Sequence, residues 1–455
     1  MAISPTDRGR EPRSDGGADS ALETPSDGAD SADTRSTASA ISSDDHWLAS
    51  YARDHVAHLL VVAAFALYPI VLGVLDRTPL ATEASSFLPG LTAMIVVLYM
   101  GLFAMSFDFV SGYTGYLSFG HAAFYGTGAY VVVLAANGKV PGVPADTPFM
   151  LIVLLAALLA FVVALAIGAV SFRLSGVYFA MITLGFAQVI YEFVRHWGYV
   201  GTNPTEGATI ATPDGLSIGV PYVDSLTFAV GRLTGDRFEN VLGLGIDVSA
   251  TMTSYYALGA VVLVCYFAMQ RILHSPFGKV MVAIRENEER ARAVGYDVFW
   301  YKMAAFATSG FFAGIAGALF AAYARGASPD NSFYFLVTAD ALIMAIIGGI
   351  GSLAGPLYGA LFHEWLGDIL TTDDEGIATY LEQFLPEGIL TTEIGGVTLY
   401  DLVGTALTGR APLYLGIIFV LFVLFVPDGL LGSLRDRVGG PVGKRLPDVL
   451  DRYRR

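Results

Sequence analysis

Residues 275–302, SPFGKVMVAIRENEERARAVGYDVFWYK, form a charged island between two hydrophobic runs, Thr251 to Gln270 and Met303 to Ala324, neither of which holds a charged side chain. Each run is long enough to cross a hydrocarbon core of about 30 Å, so the island belongs at a membrane face. Ser275 reads as an N-cap, Pro276 as the first helical residue and Gly295 as the left-handed stop after Val294, which predicts one helix of about five turns. Val280, Ile284, Ala291 and Val294 recur at helical spacing, and Glu288 stands four residues before Arg292 in the favourable acid-first order. The expected helix is amphipathic. It either lies on the lipid surface or presents its polar face to a soluble partner.

Working outward, further charge-free runs cover Val56 to Leu75, Ala84 to Phe107, Phe149 to Phe172 and Ala411 to Val426. Shorter or more polar candidates cover Leu117 to Ala136, Gly176 to Phe193, and the pair Ala341 to Ile350 and Leu353 to Phe362, which either crosses or is re-entrant. The expectation is an all-α, polytopic transmembrane helix bundle of about ten membrane segments. With 54% hydrophobic and only 15% charged residues, the chain does not fit a soluble enzyme. Basic residues set the orientation, because cytoplasmic loops carry the Lys/Arg excess. The loop 271–302 holds Arg271, Lys279, Arg285, Arg290, Arg292 and Lys302, and the tail 433–455 is similarly basic, whereas the loops 198–252 and 371–411 hold only Arg232, Arg237 and Arg410. A multi-pass plasma-membrane protein with both termini cytoplasmic follows. The membrane domain runs over 51–432, after a tail, 1–50, whose Ser, Thr, Asp and Gly content is that of a disordered acidic segment rather than a signal peptide. The net charge of -15 is concentrated in that tail and the outside loops, which points to a halophile whose salt-rich cytoplasm screens self-repulsion. The single cysteine, Cys265, excludes an intramolecular disulfide and a thiolate cluster.

The segment Ser111 to Tyr130 interrupts an apolar run with Gly112, Gly115, Gly120, Gly126 and Gly128. A broken helix is tolerated in a bilayer only inside protein or beside a water-filled cavity, so this segment is expected within the bundle, facing a path. Asp108, Ser118, His121 and Gln188 are the candidate path-lining polar groups. Two small-residue ladders, Gly310, Gly314, Gly317 and Gly351, Gly355, Gly359, have spacings of three and four and are expected to pack helices. Residues 349–354 superficially match a dinucleotide fingerprint but lack any βαβ context. The chain has no Gly-x-x-x-x-Gly-Lys-Ser/Thr loop, so any ATP is bound by another polypeptide. His363-Glu364 has no second histidine at zinc-helix spacing, and neither a catalytic constellation, a cofactor site nor a nucleic-acid surface is indicated.

Five motifs in order, GYTGYLSFGHAAFYGTGAY at 112–130, SGVYFAMITLGFAQ at 175–188, the island with its following helix at 275–321, IIGGIGSLAGPLYGA at 346–360 and LFVPDGLLG at 424–432, resemble the permeases of branched-chain amino acid ABC importers of the LivM type, which are related to urea permeases. The resemblance implies that 275–300 docks in a groove of an ATPase subunit, with Glu289, Ala293 and Gly295 at the acidic, small and glycine positions of the importer loop and Arg285 and Glu286 making polar contacts. It further implies two ABC ATPase subunits, a homologous LivH-type permease, an extracellular substrate-binding protein and membrane lipid as partners. The stretch Gly201 to Gly207 departs from the family's glycine-rich turn, and both outside loops are long, which leaves the substrate open. Branched-chain or related amino acids are expected, with urea or short amides as the alternative. An ion-coupled transporter using Asp108, Glu192 and Asp340 is the rival from another class.

Overall fold

The computed structural model describes residues 62–63, 65–72, 88–144, 147–201, 203–210, 217–219, 227–229, 250–370, 393–394, 397–398, 411–426 and 429–430. The expected tails 1–50 and 433–455, most of the loops 198–252 and 371–411, and half of the run Val56 to Leu75 lie outside the described residues.

Helices dominate, as the apolar runs require. In chain order they are α1 (Leu91–Thr114), α2 (His121–Ala136), α3 (Phe149–Ser171), α4 (Val177–Arg195), α5 (Ala250–Leu273), α6 (Pro276–Glu286), α7 (Glu288–Ala293), α8 (Val298–Ala324), α9 (Pro329–Ser332), α10 (Phe335–Gly348), α11 (Gly355–Leu370) and α12 (Ala411–Phe425). Among the described residues strands occur only as pairs of two or three residues. Of these, β1 (Ala208–Thr209) pairs antiparallel with β4 (Gly326–Ala327), while β2 (Ser217–Gly219) pairs with β3 (Thr227–Ala229) and β5 (Glu393–Ile394) with β6 (Val397–Thr398).

Among the described residues six segments are long and apolar enough to cross a membrane, fewer than the ten expected. Of the four expected segments not counted, the run Val56 to Leu75 lies half outside the described residues, and the other three are short, α12 having 15 residues. Helices α2 and α11 have 16 residues each, which at 1.5 Å per residue span about 24 Å. Helix α11 also carries His363, Glu364 and Asp368.

Helices α1, α2 and α8 form the centre. In α2 every residue but Thr127 is buried, and most of α1 and α8 is enclosed as well. Helices α3, α4 and α5 are more peripheral. The exposed face of α3 is uniformly aliphatic, with Leu151, Leu154, Leu158 and Val162, the composition that suits lipid tails.

The glycines of the centre act by their size. A Cβ at Gly310 or Gly314 would meet Ala164 or Ala160 of α3, one at Gly317 would strike the Tyr125 carbonyl of α2, and one at Gly128 would strike the Gly314 carbonyl. Backbones can approach this closely only without side chains between them. The second ladder is only partly a ladder. Gly359 packs against the Met344 carbonyl of α10 and Gly355 lies under the 348–352 segment, but Gly351 stands before α11 in the turn from α10, at φ 83°, a left-handed conformation that favours glycine. The expectation that it shares a helical face with Gly355 and Gly359 is corrected accordingly.

Candidate functional site

The charged loop is anchored at its start by Ser275 and Pro276, which open α6 as the sequence predicts. It is not one helix, however. At Asn287 the backbone is extended, with φ −164° and ψ 106°, and the Asn287 side chain accepts a hydrogen bond from the Arg290 amide at 2.8 Å. Asparagine is a strong N-cap, and here it ends α6 while starting α7. At the far end the Gly295 amide bonds the Arg292 carbonyl and the Tyr296 amide bonds the Ala291 carbonyl, with Gly295 at φ 101°. These two bonds close a Schellman motif.

The break leaves the buried face continuous. Val280, Ile284 and Ala291 pack in one apolar cluster with Val298, and Tyr301 leans on it. Val294, expected on the same face, is instead 74% exposed: it is the C-cap of α7, where the chain turns away at Gly295. Val294 and Tyr296, together with Glu286, Glu289, Ala293 and Gly295, lie on the exposed side of the loop, whereas Arg285, in part exposed, reaches back to the bundle.

Two polar junctions join this loop to the bundle. In the first, Glu288 of α7 accepts from three donors: the Tyr116 hydroxyl at 2.5 Å, the Lys302 ammonium at 3.0 Å and the Arg292 guanidinium at 2.9 Å. The Lys302 ammonium also donates to the Tyr116 hydroxyl at 2.9 Å, closing a triangle, and stands 4.5 Å from the Tyr116 ring centroid. A lysine 5% exposed is tolerable only with such compensation, here one carboxylate, one hydroxyl and the faces of Tyr116 and Phe172. Partial burial opposes ionisation of Glu288, yet Tyr116, Lys302 and Arg292 outweigh it and hold the carboxyl below its ordinary value.

In the second junction Arg285 of α6 turns its guanidinium inward and donates to the Gly112 carbonyl at 2.6 Å, one of the carbonyls at the end of α1 that have no intrahelical partner. Next to it the Gly351 amide donates to both carboxylate oxygens of Asp108, at 2.9 and 3.2 Å. A Cβ at Gly351 would press on the Arg285 guanidinium, and one at Gly112 would collide with Asp108. The loop, the end of α1 and the 349–352 turn thus meet at one place.

The candidate path residues fall into two groups. Asp108, Ser118 and His121 have no exposed surface. Ser118 accepts from the Gly120 amide at 3.2 Å. The Ser309 hydroxyl donates its one proton to the Ser106 carbonyl at 2.6 Å, so in the 2.6 Å contact with His121 the imidazole Nε2 is the donor. Phe107, Phe124 and Phe306 surround that ring edge-on. Gln188, by contrast, is half-exposed on α4 and points to Glu192 at 3.4 Å. The exposed face of α4 also holds Tyr178, Met181, Gly185 and Val189. Among the described residues no group of three metal-ligating side chains occurs.

Sequence reading treated Glu288 only as the surface partner of Arg292 and did not single out Tyr116 or Lys302 as functional. The available signal was a lysine four residues into the helix that starts at Val298, where an unpaired charge would not be expected to stay.

Residues 91–372 match the family model described as branched-chain amino acid transport system / permease component. The chain is 32% identical over 311 residues to the high-affinity branched-chain amino acid transport system permease protein LivM of Escherichia coli K12, covering 66% of this chain and 68% of that protein. It is also 32% identical over 266 residues to the LivM protein of Salmonella typhimurium, covering 58% of each. A probable branched-chain amino acid transport permease protein LivM of Methanocaldococcus jannaschii is 25% identical over 279 residues, 60% of this chain and 66% of that one. No solved structure matches. With the family model covering well over half of the chain and two relatives 32% identical to it, this chain belongs to the branched-chain amino acid transport permeases of the LivM type.

Proposed function

We propose that the chain is the permease subunit of an ATP-driven importer of branched-chain or related amino acids, and that α6 and α7 are its docking element for a separate ATPase. The observation that carries this reading is the two-sided character of the loop. One side is fixed to the bundle through Glu288, Arg285 and the Val280 cluster, while the other leaves Glu286, Glu289, Ala293, Val294 and Gly295 exposed. A solvent-facing edge of this kind, mixing charge with an exposed valine and tyrosine, suits a protein groove better than open water. In this reading the loop and both termini are cytoplasmic. A homologous LivH-type permease completes the membrane unit, and an extracellular binding protein delivers the amino acid.

Within the bundle we assign the path-facing role to the α4 face around Gln188. A partly exposed glutamine and an exposed glutamate on a membrane helix need water or a partner helix opposite them, whereas the aliphatic face of α3 needs only lipid. Asp108, Ser118 and His121 then serve to hold helices in register. Closure of the ATPases moves the docking element, and the bundle exchanges outward and inward access around the path.

The test is affinity purification of the tagged chain from native membranes in high salt, with mass identification of what accompanies it. Recovery of an ATPase, a second permease and a binding protein supports the importer. Reproducible recovery of the chain alone, in a detergent that keeps a known importer intact, overturns it in favour of ion-coupled transport.

A further inference from the structure

Helix α7 has only six residues, and of these only Ala291 is buried. So short a helix does not persist by its own hydrogen bonds, and one alanine contributes little apolar attachment. What fixes α7 to the membrane domain is therefore polar, and it converges on Glu288. The carboxylate touches two bundle elements at once: Tyr116 in the connection between α1 and α2, and Lys302 in the second turn of the central helix α8. The contact between Lys302 and Tyr116 ties those two elements to each other as well. An apolar contact slides easily along a surface, but a closed triangle of charge-assisted hydrogen bonds fixes distance and direction.

We propose that Glu288, Lys302 and Tyr116 form the tie through which displacement of α7 is carried into the bundle, with Glu288 the positioning residue on the loop and Lys302 its receiver on α8. This rests on the docking role proposed above and adds where the motion enters. Without the tie α7 is free to pivot at Asn287, where the backbone is already extended, and movement of the docked partner is absorbed in the loop. Arg285 provides a second tether, on the other side of that pivot, to the end of α1 and the 349–352 turn.

The experiment uses the intact complex in lipid vesicles, with Cys265→Ala as background, and reads three quantities: ATP hydrolysis, the ATP-driven signal of a fluorophore on Met181→Cys in the exposed face of α4, and cross-linking of Val294→Cys to the ATPase. In Lys302→Met, cross-linking and hydrolysis are expected to persist while the ATP-driven signal per ATP hydrolysed falls about tenfold, a usual size for coupling between sites. Tyr116→Phe, which removes one hydroxyl and keeps the ring, falls less, and Lys302→Arg restores part of the signal. A merely structural salt bridge would lower hydrolysis, cross-linking and signal together. That outcome, or an unchanged signal with the cross-link present, overturns the tie and leaves the docking reading standing. Failure of Val294→Cys to cross-link in the otherwise native complex, or an ATP-insensitive signal there, overturns the docking reading itself. Where Lys302→Met does not assemble, Tyr116→Phe decides the question on the same readouts.

Discussion

Two helical glycines in different surroundings should answer the same substitution with opposite signs. Replacing glycine by alanine inside a helix favours the folded state by about 0.5–1 kcal/mol when the methyl group meets nothing. Gly185 in α4 meets that condition, since no atom lies within 4 Å of the added Cβ, and Gly185→Ala is expected to stabilise the isolated chain by about that amount. At Gly317 the methyl lands on the Tyr125 carbonyl and close to the Ala129 amide of α2. Both are backbone atoms of a helix packed on all sides, so no side chain can rotate away and α2 and α8 must separate. Overpacking of this kind costs about 1–3 kcal/mol, and the upper end applies because backbone meets backbone. After the propensity gain is subtracted, Gly317→Ala should destabilise by about 2 kcal/mol, placing the two variants about 3 kcal/mol apart. Thermal unfolding of the purified chains in one detergent measures the difference directly, with Gly185→Ala above the native midpoint and Gly317→Ala below it. Equal shifts, or a gain at Gly317, would refute the close approach of α2 and α8.

The pivot and the tie carry their own expectations. Asn287→Ala removes the side chain that accepts from the Arg290 amide, and loss of such a cap costs about 1 kcal/mol, so hydrogen exchange in α7 should quicken while α6 stays protected. Because the folded state holds the Glu288 carboxyl below its ordinary value of 4.5, the tie contributes fully above that value and is lost as pH falls through the lowered folded one. The stability difference between the native chain and Glu288→Gln should therefore be present at neutral pH and vanish on strong acidification; a difference that grows with acid would contradict the assigned charge state.

The membrane class of this chain is legible in its apolar runs, because burial of backbone in lipid demands helices and leaves a composition that cannot be mistaken. The stops are legible too: Gly295 ends α7 and Ser275-Pro276 opens α6 as local chemistry dictates. Asn287 is harder to read, since an asparagine within an amphipathic pattern is compatible with both a helix interior and a cap, and Val294 is exposed because α7 ends there. Gly351 belongs to a perfect small-residue spacing, yet what decides its place is the Asp108 carboxylate, 243 residues away in the chain. Residues such as Tyr116 and Lys302 escape a linear reading for the same reason: their partners are brought together by the packing of α1, α2 and α8, which no local period encodes.

Helix α8 runs for 27 residues, about 40 Å, without a proline. Near one end lies Lys302, and just beyond the other Gly326 and Ala327 pair with Thr209 and Ala208 while the Arg325 carbonyl accepts from the Ile210 amide. Between them Gly310, Gly314 and Gly317 are clamped against α3 and α2. Such a beam has little room to flex, so the 208–210 segment and the charged loop sit at the two handles of one lever, and news arriving at either handle reaches the other as tilt.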